Sequence, residues 1–523
     1  MSTIQVKNLT FGYDGMLEKL FENASFNIDT DWKLGLIGRN GKGKTTFLNI
    51  LQGKLEYTGT ITKSVELDYF PIEVKDENKM AIEIVQDIAI NAQDWEIIKE
   101  INLLNTNPEI LYREYKLLSG GEKIKILLVA LFLKENNFLL IDEPTNHLDS
   151  ETRENLINYL KKKKGFIVVS HDRNFLDSIV DHIIAINNSG IEIQKGNFST
   201  WKENKDKQNN SELMQNEKLK KDINRLNEAA RDTANWSEKV EKTKYGTTNS
   251  GSKVDRGYIG HQAAKMMKRS KVIENRIEKE IRDKSQLLKD IDRNDSLTIK
   301  PLEAKKNPII VCNNLQIKYD GKAIFEKLNI EVNNRDRIAI VGKNGAGKSS
   351  ILKLFLGEKI DYNGTFNKIN DLKISYVSQQ TNYLKGKLKE FAKTNNVDES
   401  IFNAMLIKMG FSKENLNKNI EELSEGQKKK VLIAKSITEQ ADVYIWDEPL
   451  NYIDILTKIQ IEEAILKYKP TLIFVEHDET FVKNVATKIV KLLKGVKRDG
   501  EFWHILQIAL AVTIVVLLIY WKY

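Results

Sequence analysis

One set of short motifs occurs twice in the chain, in the same order and at a nearly constant spacing. GRNGKGKTT begins at Gly38, and its counterpart GKNGAGKSS begins 304 residues later at Gly342. LSGGE and LSEGQ, LLIDEPTNHLD and YIWDEPLNYID, and VSHD and VEHD recur at offsets of 305 to 306 residues. A constant offset over four motifs indicates a duplicated structural unit of roughly 190 residues. The sequence therefore predicts two homologous domains.

Each copy is predicted to be an α/β domain with a buried parallel sheet. The short apolar runs that predict its strands are 34–37, 138–141 and 166–169 in the first copy, and 338–341, 443–446 and 471–475 in the second. Continuous apolar runs of this length are typical of strands that helices cover on both faces. Helical patterns lie between them, so the predicted fold class is α/β with two P-loop domains.

The pattern G-x-x-x-x-G-K-[ST] follows an apolar strand and precedes a helix in both copies, which is the context of a phosphate-binding P-loop. Its glycines let backbone N–H groups converge on phosphate oxygens at the helix N-terminus. The lysine is predicted to reach the β- and γ-phosphates, and the following hydroxyl to bind Mg²⁺. The predicted ATP-binding residues are Gly38, Asn40, Gly41, Gly43, Lys44, Thr45 and Thr46 in the first copy, and Gly342, Asn344, Gly345, Gly347, Lys348, Ser349 and Ser350 in the second.

Each copy also has an Asp-Glu pair at the end of one apolar strand and a histidine at the end of a later one. The aspartate is predicted to hold the metal with its water shell, the glutamate to orient or deprotonate the attacking water, and the histidine to touch the γ-phosphate. The predicted metal ligands are Asp142, Asp447, Thr45 and Ser349, and the predicted catalytic residues are Glu143, Glu448, His171 and His477. A single motif could be a turn or a solvated helix start, but the ordered repetition favours nucleotide hydrolysis.

The sequence LSGGE resembles the signature of ATP-binding-cassette (ABC) proteins, and both copies resemble ABC cassettes. In that family, the signature of one cassette caps the nucleotide of the other. The resemblance therefore implies two ATP molecules with Mg²⁺ at a head-to-tail interface within a monomer. It assigns Ser119, Gly120, Gly121, Ser424 and Gly426 to ATP, Tyr13 and Tyr319 to adenine stacking, and Gln379 to the metal.

The two composite sites are predicted to be unequal. Ile72 stands at the glutamine position of the first cassette, and Glu425 replaces the first glycine of the second signature. By the head-to-tail rule, both changes fall on the site built on 38–45, where a carboxylate would repel the γ-phosphate and isoleucine cannot bind Mg²⁺. The site built on 342–349 keeps every group, so it is predicted to turn over faster.

The segment 201–306 loses the strand pattern and becomes charged and helical. Leu219, Ile223 and Leu226 predict an apolar stripe along one helix, and two antiparallel helices of about 35 residues would form an arm of roughly 50 Å. The net charge of +8 is modest, but basic residues concentrate with tyrosines at the tip. This combination is typical of RNA contact, although a solvated hairpin is the alternative. The predicted RNA-binding residues are Lys242, Lys244, Tyr245, Lys253, Arg256, Tyr258, Lys265, Lys268, Arg269 and Lys271.

Twin cassettes joined by a long α-helical linker resemble the ABC-F proteins. FGYDG, YIWDEPLNY and GYIGHQAAKMMKRSK are similar to the Lsa group of antibiotic-resistance proteins. The resemblance implies an ATPase that binds the bacterial ribosome, contacts 23S rRNA, displaces tRNA from the peptidyl site and dislodges lincosamides, streptogramin A compounds and pleuromutilins. A housekeeping ABC-F translation factor is the alternative. An exporter subunit is disfavoured, because an exporter needs many apolar spans and this chain has at most one.

The last segment does not continue the cassette pattern. Residues 505–521 are almost uninterruptedly apolar and lie at the lower limit of a transmembrane span. A membrane anchor, a core helix and an accident at the gene's end all stay open. The single cysteine, Cys312, and an N-terminus without a signal-peptide pattern predict a cytoplasmic, ribosome-associated protein. The predicted domains are cassette 1 (1–200), the linker (201–306), cassette 2 (307–494) and the tail (495–523).

Overall fold

The structure is a computed structural model. It describes residues 2–13, 19–145, 148, 150–187, 190–243, individual positions between 261 and 280, 296–319, 321–343 and 345–493. The chain divides into two compact units, of which one contains both cassettes and the other is Ser199–Arg293.

The first cassette alternates strands and helices as its sequence predicts. Its strands are β1 (Thr3–Phe11), β2 (Phe21–Asp29), β3 (Lys33–Gly38), β4 (Thr58–Thr62), β5 (Glu66–Phe70), β6 (Asn137–Asp142), β7 (Phe166–Val169), β8 (His182–Asn187) and β9 (Gly190–Lys195). Its helices are α1 (Lys44–Gln52), α2 (Ala81–Ile88), α3 (Asp94–Leu103), α4 (Gly120–Leu133), α5 (Ser150–Lys161) and α6 (Arg173–Ile179).

The second cassette repeats this order after a long helix, α7 (Phe198–Thr243). Its strands are β10 (Ile310–Tyr319), β11 (Lys322–Ala323), β12 (Leu328–Val332), β13 (Arg337–Val341), β14 (Tyr362–Lys368), β15 (Ile374–Val377), β16 (Val443–Asp447), β17 (Leu472–Val475) and β18 (Lys488–Lys491). Its helices are α8 (Lys348–Leu356), α9 (Leu388–Thr394), α10 (Glu399–Lys408), α11 (Lys413–Asn417), α12 (Glu425–Thr438), α13 (Ile455–Tyr468) and α14 (Glu479–Val485).

Each cassette has a parallel central sheet and a smaller antiparallel sheet. The central sheets have the strand orders β5-β6-β7-β3-β8-β9 and β15-β16-β17-β13-β18, in which only the edge strand β9 runs antiparallel to its neighbour. The antiparallel sheets are centred on β1 and on β10. The predicted parallel strands are confirmed, and each P-loop connects a central strand to a helix, β3 to α1 and β13 to α8.

The linker begins with one helix that is longer than predicted. α7 has 46 residues instead of about 35, because its sequence contains no glycine or proline to end it. Leu219, Ile223 and Leu226 are partly buried while most of their neighbours are exposed, which confirms the predicted stripe. At the other end of the linker, Leu297 and Ile299 are buried in the core of the second cassette, so this cassette starts about ten residues before the predicted boundary.

Only part of the predicted basic tip lies in the described residues. Lys265, Lys268, Arg269 and Lys271 are helical and exposed. The backbone of Lys242 belongs to α7. The remaining predicted tip residues, Lys244, Tyr245, Lys253, Arg256 and Tyr258, lie outside the described residues, as does the apolar tail 495–523. Among the residues that the structure describes, no helix is both long and apolar enough to span a membrane.

Candidate nucleotide-binding sites

The two P-loops have the same local geometry. Gly43 and Gly347 precede α1 and α8 in the left-handed conformation, with φ of 87° and 91°, and neither helix has a side-chain cap at its N-terminus. Lys44 and Lys348 fold back over their loops, and their Nζ atoms donate to the carbonyl oxygens of the first loop glycines at 2.9 and 2.8 Å. Uncapped N–H groups and a lysine at a helix start fit a polyphosphate.

The second cassette holds its predicted catalytic glutamate in a network of donors. Oε2 of Glu448 accepts hydrogen bonds from Nε2 of Gln379 at 2.9 Å and from Nδ2 of Asn451 at 2.8 Å. Nε2 of His477 lies 3.5 Å from Oε1. Burial alone would raise the pKa of Glu448, but the hydrogen bonds from His477 and Gln379 and the positive charge of Lys348 lower it to about 2. Glu448 is therefore ionised and fixed in orientation.

The neighbouring aspartate has a free coordination position in the described structure. Asp447 accepts a hydrogen bond from the Ser349 side chain, and burial raises its pKa more than this bond lowers it. Its Oδ1 is buried, and no described residue donates a hydrogen bond to it. A buried carboxylate oxygen without a partner, beside a serine hydroxyl, is a donor set that Mg²⁺ prefers. These residues therefore fit the divalent cation of a bound nucleotide.

The corresponding glutamate of the first cassette is held differently. Both carboxylate oxygens of Glu143 are buried, and no described side chain donates a hydrogen bond to them. Nε2 of His171 lies 3.2 Å from Oε1 of Glu143 without forming a hydrogen bond. Burial and then the charge of Asp142 raise the pKa of Glu143 to about 7, and burial lowers the pKa of His171 well below its usual value. At neutral pH Glu143 is only partly ionised.

A tyrosine that sequence reasoning did not single out contacts Asp142, the predicted metal ligand of the first cassette. The hydroxyl of Tyr69 donates to Oδ2 of Asp142 at 2.8 Å, and Thr45 Oγ1 donates to the same oxygen at 3.3 Å. In the strand register Tyr69 pairs with Leu140 as Tyr376 pairs with Ile445. This register places Ile72 at the position of Gln379, as the sequence comparison predicted.

The tyrosines predicted to stack on adenine lie beside the P-loops. The hydroxyl of Tyr13 is 2.8 Å from Thr46 Oγ1, and the hydroxyl of Tyr319 is 3.3 Å from Ser350 Oγ. Both rings are about half exposed, so their faces are accessible to a base.

A cavity of about 650 Å³ lies at the second P-loop, between the two cassettes. The second cassette contributes its P-loop, Tyr319, Gln379, Glu448 and His477, and the first contributes Glu143, Arg153 and Asp172. The LSGGE residues Ser119 and Gly120 do not line it, and a Cβ atom on Gly120 would meet nothing within 4 Å in the described structure. The second site is therefore open on the side where a signature would cap it.

The first P-loop, in contrast, is in contact with the second cassette. Nδ2 of Asn40 donates to the carbonyl oxygen of Tyr452 at 2.9 Å, and its backbone N–H lies 3.4 Å from Oδ2 of Asp454. A Cβ atom added to Gly426, in the second signature, would lie 2.9 Å from Nδ2 of Asn40. The second signature thus lies against the first P-loop, as the head-to-tail rule predicts. Asn344, the equivalent of Asn40, lies outside the described residues.

The sequence predicted that Glu425 would face the first P-loop, but its carboxylate is directed elsewhere. Its Oε2 accepts a hydrogen bond from Thr381 Oγ1, and its Oε1 pairs with Lys428 at 3.1 Å. Both partners belong to its own cassette, and the bond from Thr381 is the main reason that the pKa of Glu425 is lowered. Since the carboxylate is directed to Thr381 and neutralised by Lys428, repulsion of the γ-phosphate is a weaker argument than the sequence suggested.

Two basic residues, 305 positions apart, connect the cassettes in a matched way. Nη1 of Arg153 donates to the carbonyl oxygen of His477 at 3.2 Å, and Nζ of Lys458 donates to that of His171 at 2.9 Å. Each basic side chain also pairs with the aspartate that follows the histidine of its own cassette. Sequence reasoning missed this contact, although the recurrence of a basic residue at the repeat offset was a signal for it.

Comparison with known proteins agrees with this geometry. Residues 21–146 and 325–451 match the ABC transporter domain family. ATP-binding protein Uup of Buchnera aphidicola is 28% identical, over 93% of this chain and 80% of its own length. Ribosome protection protein VmlR of Bacillus subtilis is 26% identical, over 93% of this chain and 86% of its own length. ABC transporter F family member 2 of Arabidopsis thaliana is 25% identical, over 97% of this chain and 79% of its own length.

The solved structures show the same tandem fold. An archaeal ribosome recycling factor, aABCE1, in complex with the ribosomal stalk protein aP1, superposes with a TM-score of 0.58 at 18% identity, over 95% of this chain and 92% of that one. Both halves of the chain therefore carry an ABC transporter ATPase domain, and its relatives along almost the full length include ABC-F proteins. The chain is an ATPase, and the nucleotide that it binds is ATP with Mg²⁺.

Proposed function

We propose that this ATPase is an ABC-F ribosome-protection factor that binds the bacterial ribosome and uses its linker to dislodge antibiotics near the peptidyl-transferase centre. Two supports are independent of each other. The linker carries exposed basic residues, Lys265, Lys268, Arg269 and Lys271, on a helix, which suits phosphate contact. The relative VmlR is named as a ribosome protection protein, and it matches this chain over nearly its whole length.

The observation that carries the catalytic part of the proposal is the network around Glu448. The proposed roles are that Glu448 orients the attacking water, His477 contacts the γ-phosphate, and Ser349, Asp447 and Gln379 hold Mg²⁺. The ion would supply charge neutralisation between the β- and γ-phosphates. Gln379 donates to Glu448 in this structure, so it could exchange this partner for the ion when a nucleotide binds.

The first site is proposed to bind ATP and to hydrolyse it slowly. Its P-loop is covered by the second signature at Gly426 and by Tyr452. Its glutamate has no side-chain hydrogen-bond donor among the described residues. Tyr69 donates to Asp142, so its hydroxyl would compete with a metal for that carboxylate. We assign this site the role of a clamp that keeps the cassettes together, and the second site the role of the faster ATPase.

A housekeeping role in translation is the second candidate. The more similar relative, Uup, is named only as an ATP-binding protein, so relatives alone do not separate resistance from housekeeping. Membrane association through the tail 495–523 rests on sequence alone.

The test uses expression in a susceptible bacterium and a panel of lincosamide, streptogramin A and pleuromutilin antibiotics. Ribosome protection predicts that the native chain raises the inhibitory concentrations of these antibiotics and that the Glu143→Gln, Glu448→Gln variant does not raise them. This variant should remain bound to ribosomes in cosedimentation. Ribosome binding without any change in drug sensitivity would refute resistance and leave the housekeeping role. Absence of ribosome binding would refute both.

A further inference from the structure

A buried lysine in the second cassette has no assigned role in the chemistry described above. Lys429 lies in the first turn and a half of α12, the helix that begins with the second signature, and it is 2% exposed. Its Nζ donates to the carbonyl oxygen of Ser378 at 2.9 Å and to that of Glu448 at 3.0 Å. Burying an ammonium group is costly unless it is well paired, so these contacts need an explanation.

The two carbonyl groups belong to the residues that set up hydrolysis at the second site. One is the carbonyl of Glu448 itself. The other belongs to Ser378, which directly precedes Gln379, the residue that donates to Oε2 of Glu448. Lys429 therefore fixes the backbone on both sides of the Gln379–Glu448 hydrogen bond, and it does so from the signature helix.

A second contact connects the same helix to the same loop. Glu425, the first residue of α12, accepts a hydrogen bond from Thr381, two residues after Gln379. The loop that carries Gln379 is thus held at Ser378 by Lys429 and at Thr381 by Glu425. A movement of α12 would displace Gln379 together with it.

The other face of the N-terminus of α12 lies against the first site. Gly426 packs beside Asn40 of the first P-loop, and Asn40 also donates to the carbonyl oxygen of Tyr452. Asn451, the residue before Tyr452, donates to Glu448. Two short connections therefore run from the first P-loop to the glutamate of the second site, one through α12 and one through residues 448–452.

The first cassette lacks the side chains that form the α12 connection. At the repeat offset of 305 residues, Ile124 stands in place of Lys429 and Gly120 in place of Glu425. Neither can donate or accept a side-chain hydrogen bond. The side-chain contacts of Lys429 and Glu425 therefore have no counterpart at the equivalent positions of the first cassette.

We propose that Lys429 and Glu425 are positioning residues that make hydrolysis at the second site depend on ATP capture at the first. ATP bound between the first P-loop and the second signature would fix the position of that signature. Lys429 and Glu425 would transmit that position to Gln379 and Glu448. This proposal rests on the proposed assignment of the two composite sites.

The test measures ATP turnover of the full-length chain in a Glu143→Gln background, in which only the second site hydrolyses. Adding Lys44→Ala removes ATP from the first site. The turnover without Lys44→Ala divided by the turnover with it measures the coupling between the two sites. We expect a ratio of about tenfold, within the usual range for coupled sites. With Lys429→Met, the ratio should fall to below about twofold.

This ratio distinguishes coupling between the two sites from a role in which Lys429 only stabilises the second site. A lysine that only stabilises the second site would lower turnover by the same factor with and without Lys44→Ala, and an unchanged ratio would overturn the proposal. If Lys429→Met does not fold, Glu425→Gly carries the test, because Glu425 is about half exposed and glycine is its cassette 1 counterpart. Thr381→Val should reduce the ratio as Glu425→Gly does, and the two together should reduce it no further.

A mirror experiment provides the matched control. In a Glu448→Gln background only the first site hydrolyses, and Lys429→Met should leave the effect of Lys348→Ala on its turnover unaltered. The site assignment has a separate test, because substantial turnover in the Glu143→Gln, Glu448→Gln variant would refute it. If this double variant is inactive but Lys429→Met leaves the effect of Lys44→Ala on turnover unchanged, the coupling alone is refuted.

Discussion

Nε2 of Gln379 donates a 2.9 Å hydrogen bond to Oε2 of Glu448, and the first cassette cannot form this bond because Ile72 stands at the equivalent position. The bond helps to keep Glu448 ionised and fixed, whereas Glu143 has a raised pKa and no side-chain hydrogen-bond donor among the described residues. Among the described residues, the two sites with the same motifs therefore differ in the charge of the glutamate that is proposed to face the attacking water and in the side chains that hold it.

This difference predicts unequal effects of the two matched glutamate variants. Glu448→Gln should lower steady-state ATP turnover by about 100-fold or more, because a positioned base contributes that much to the reaction. Glu143→Gln should lower it by less than about threefold, because the first site contributes little to the total. Phosphate release at saturating ATP measures both, and equal losses would contradict the asymmetry.

The two sites should also differ in their pH dependence. Glu143, with a pKa of about 7, holds a proton below that pH and is ionised above it. Turnover in the Glu448→Gln variant should therefore rise as pH increases from 6 to 8. In the Glu143→Gln variant, the pKa of Glu448 is about 2, so its ionisation should contribute no change over this range. A flat profile for Glu448→Gln would show that Glu143 does not limit the first site.

Removing the Tyr69 hydroxyl should strengthen metal binding at the first site. Tyr69 donates to the oxygen of Asp142 that also accepts from Thr45, so Tyr69→Phe frees a lone pair for the metal's water shell. In a Lys348→Ala background, the Mg²⁺ concentration for half-maximal binding of a fluorescent ATP analogue should fall several-fold. Tyr376→Phe, tested at the second site in a Lys44→Ala background, is the matched control and should have no effect, because no hydrogen bond joins Tyr376 to Asp447 in the described structure. An unchanged Mg²⁺ requirement in Tyr69→Phe would show that the hydroxyl does not compete.

Much of the fold was predictable because its signals are local. The strands around 34–37 and 443–446 appear as apolar runs, and the P-loops appear as glycine patterns followed by helices. The length of α7 was underestimated, since a sequence without glycine or proline allows one helix to continue over 46 residues.

The parts of the sites that could not be predicted depend on side-chain direction. The sequence places Glu425 in the second signature, three residues before Lys428 on the same helix. Only the fold brings Thr381 to it and turns it away from the first P-loop. Likewise, no motif marks Tyr69, which reaches Asp142 only because β5 and β6 are adjacent and parallel. Motif position predicts which residues meet a nucleotide, and tertiary packing decides how each one is held.

The pairing of the two cassettes should depend on a buried ion pair between them. Nη2 of Arg173 lies 2.5 Å from Oε2 of Glu462, and each side chain is about one-tenth exposed. Arg173→Met would leave Glu462 buried with the amide of Asn484 as its remaining partner in the described part of the chain, and this loss should destabilise the two-cassette unit by about 3 kcal/mol. Urea unfolding followed by tryptophan fluorescence measures the change. The exposed pair Lys79–Asp87 is the control, and Lys79→Met should cost less than about 1 kcal/mol. Equal small losses for both variants would mean that the Arg173–Glu462 contact does not hold the cassettes together.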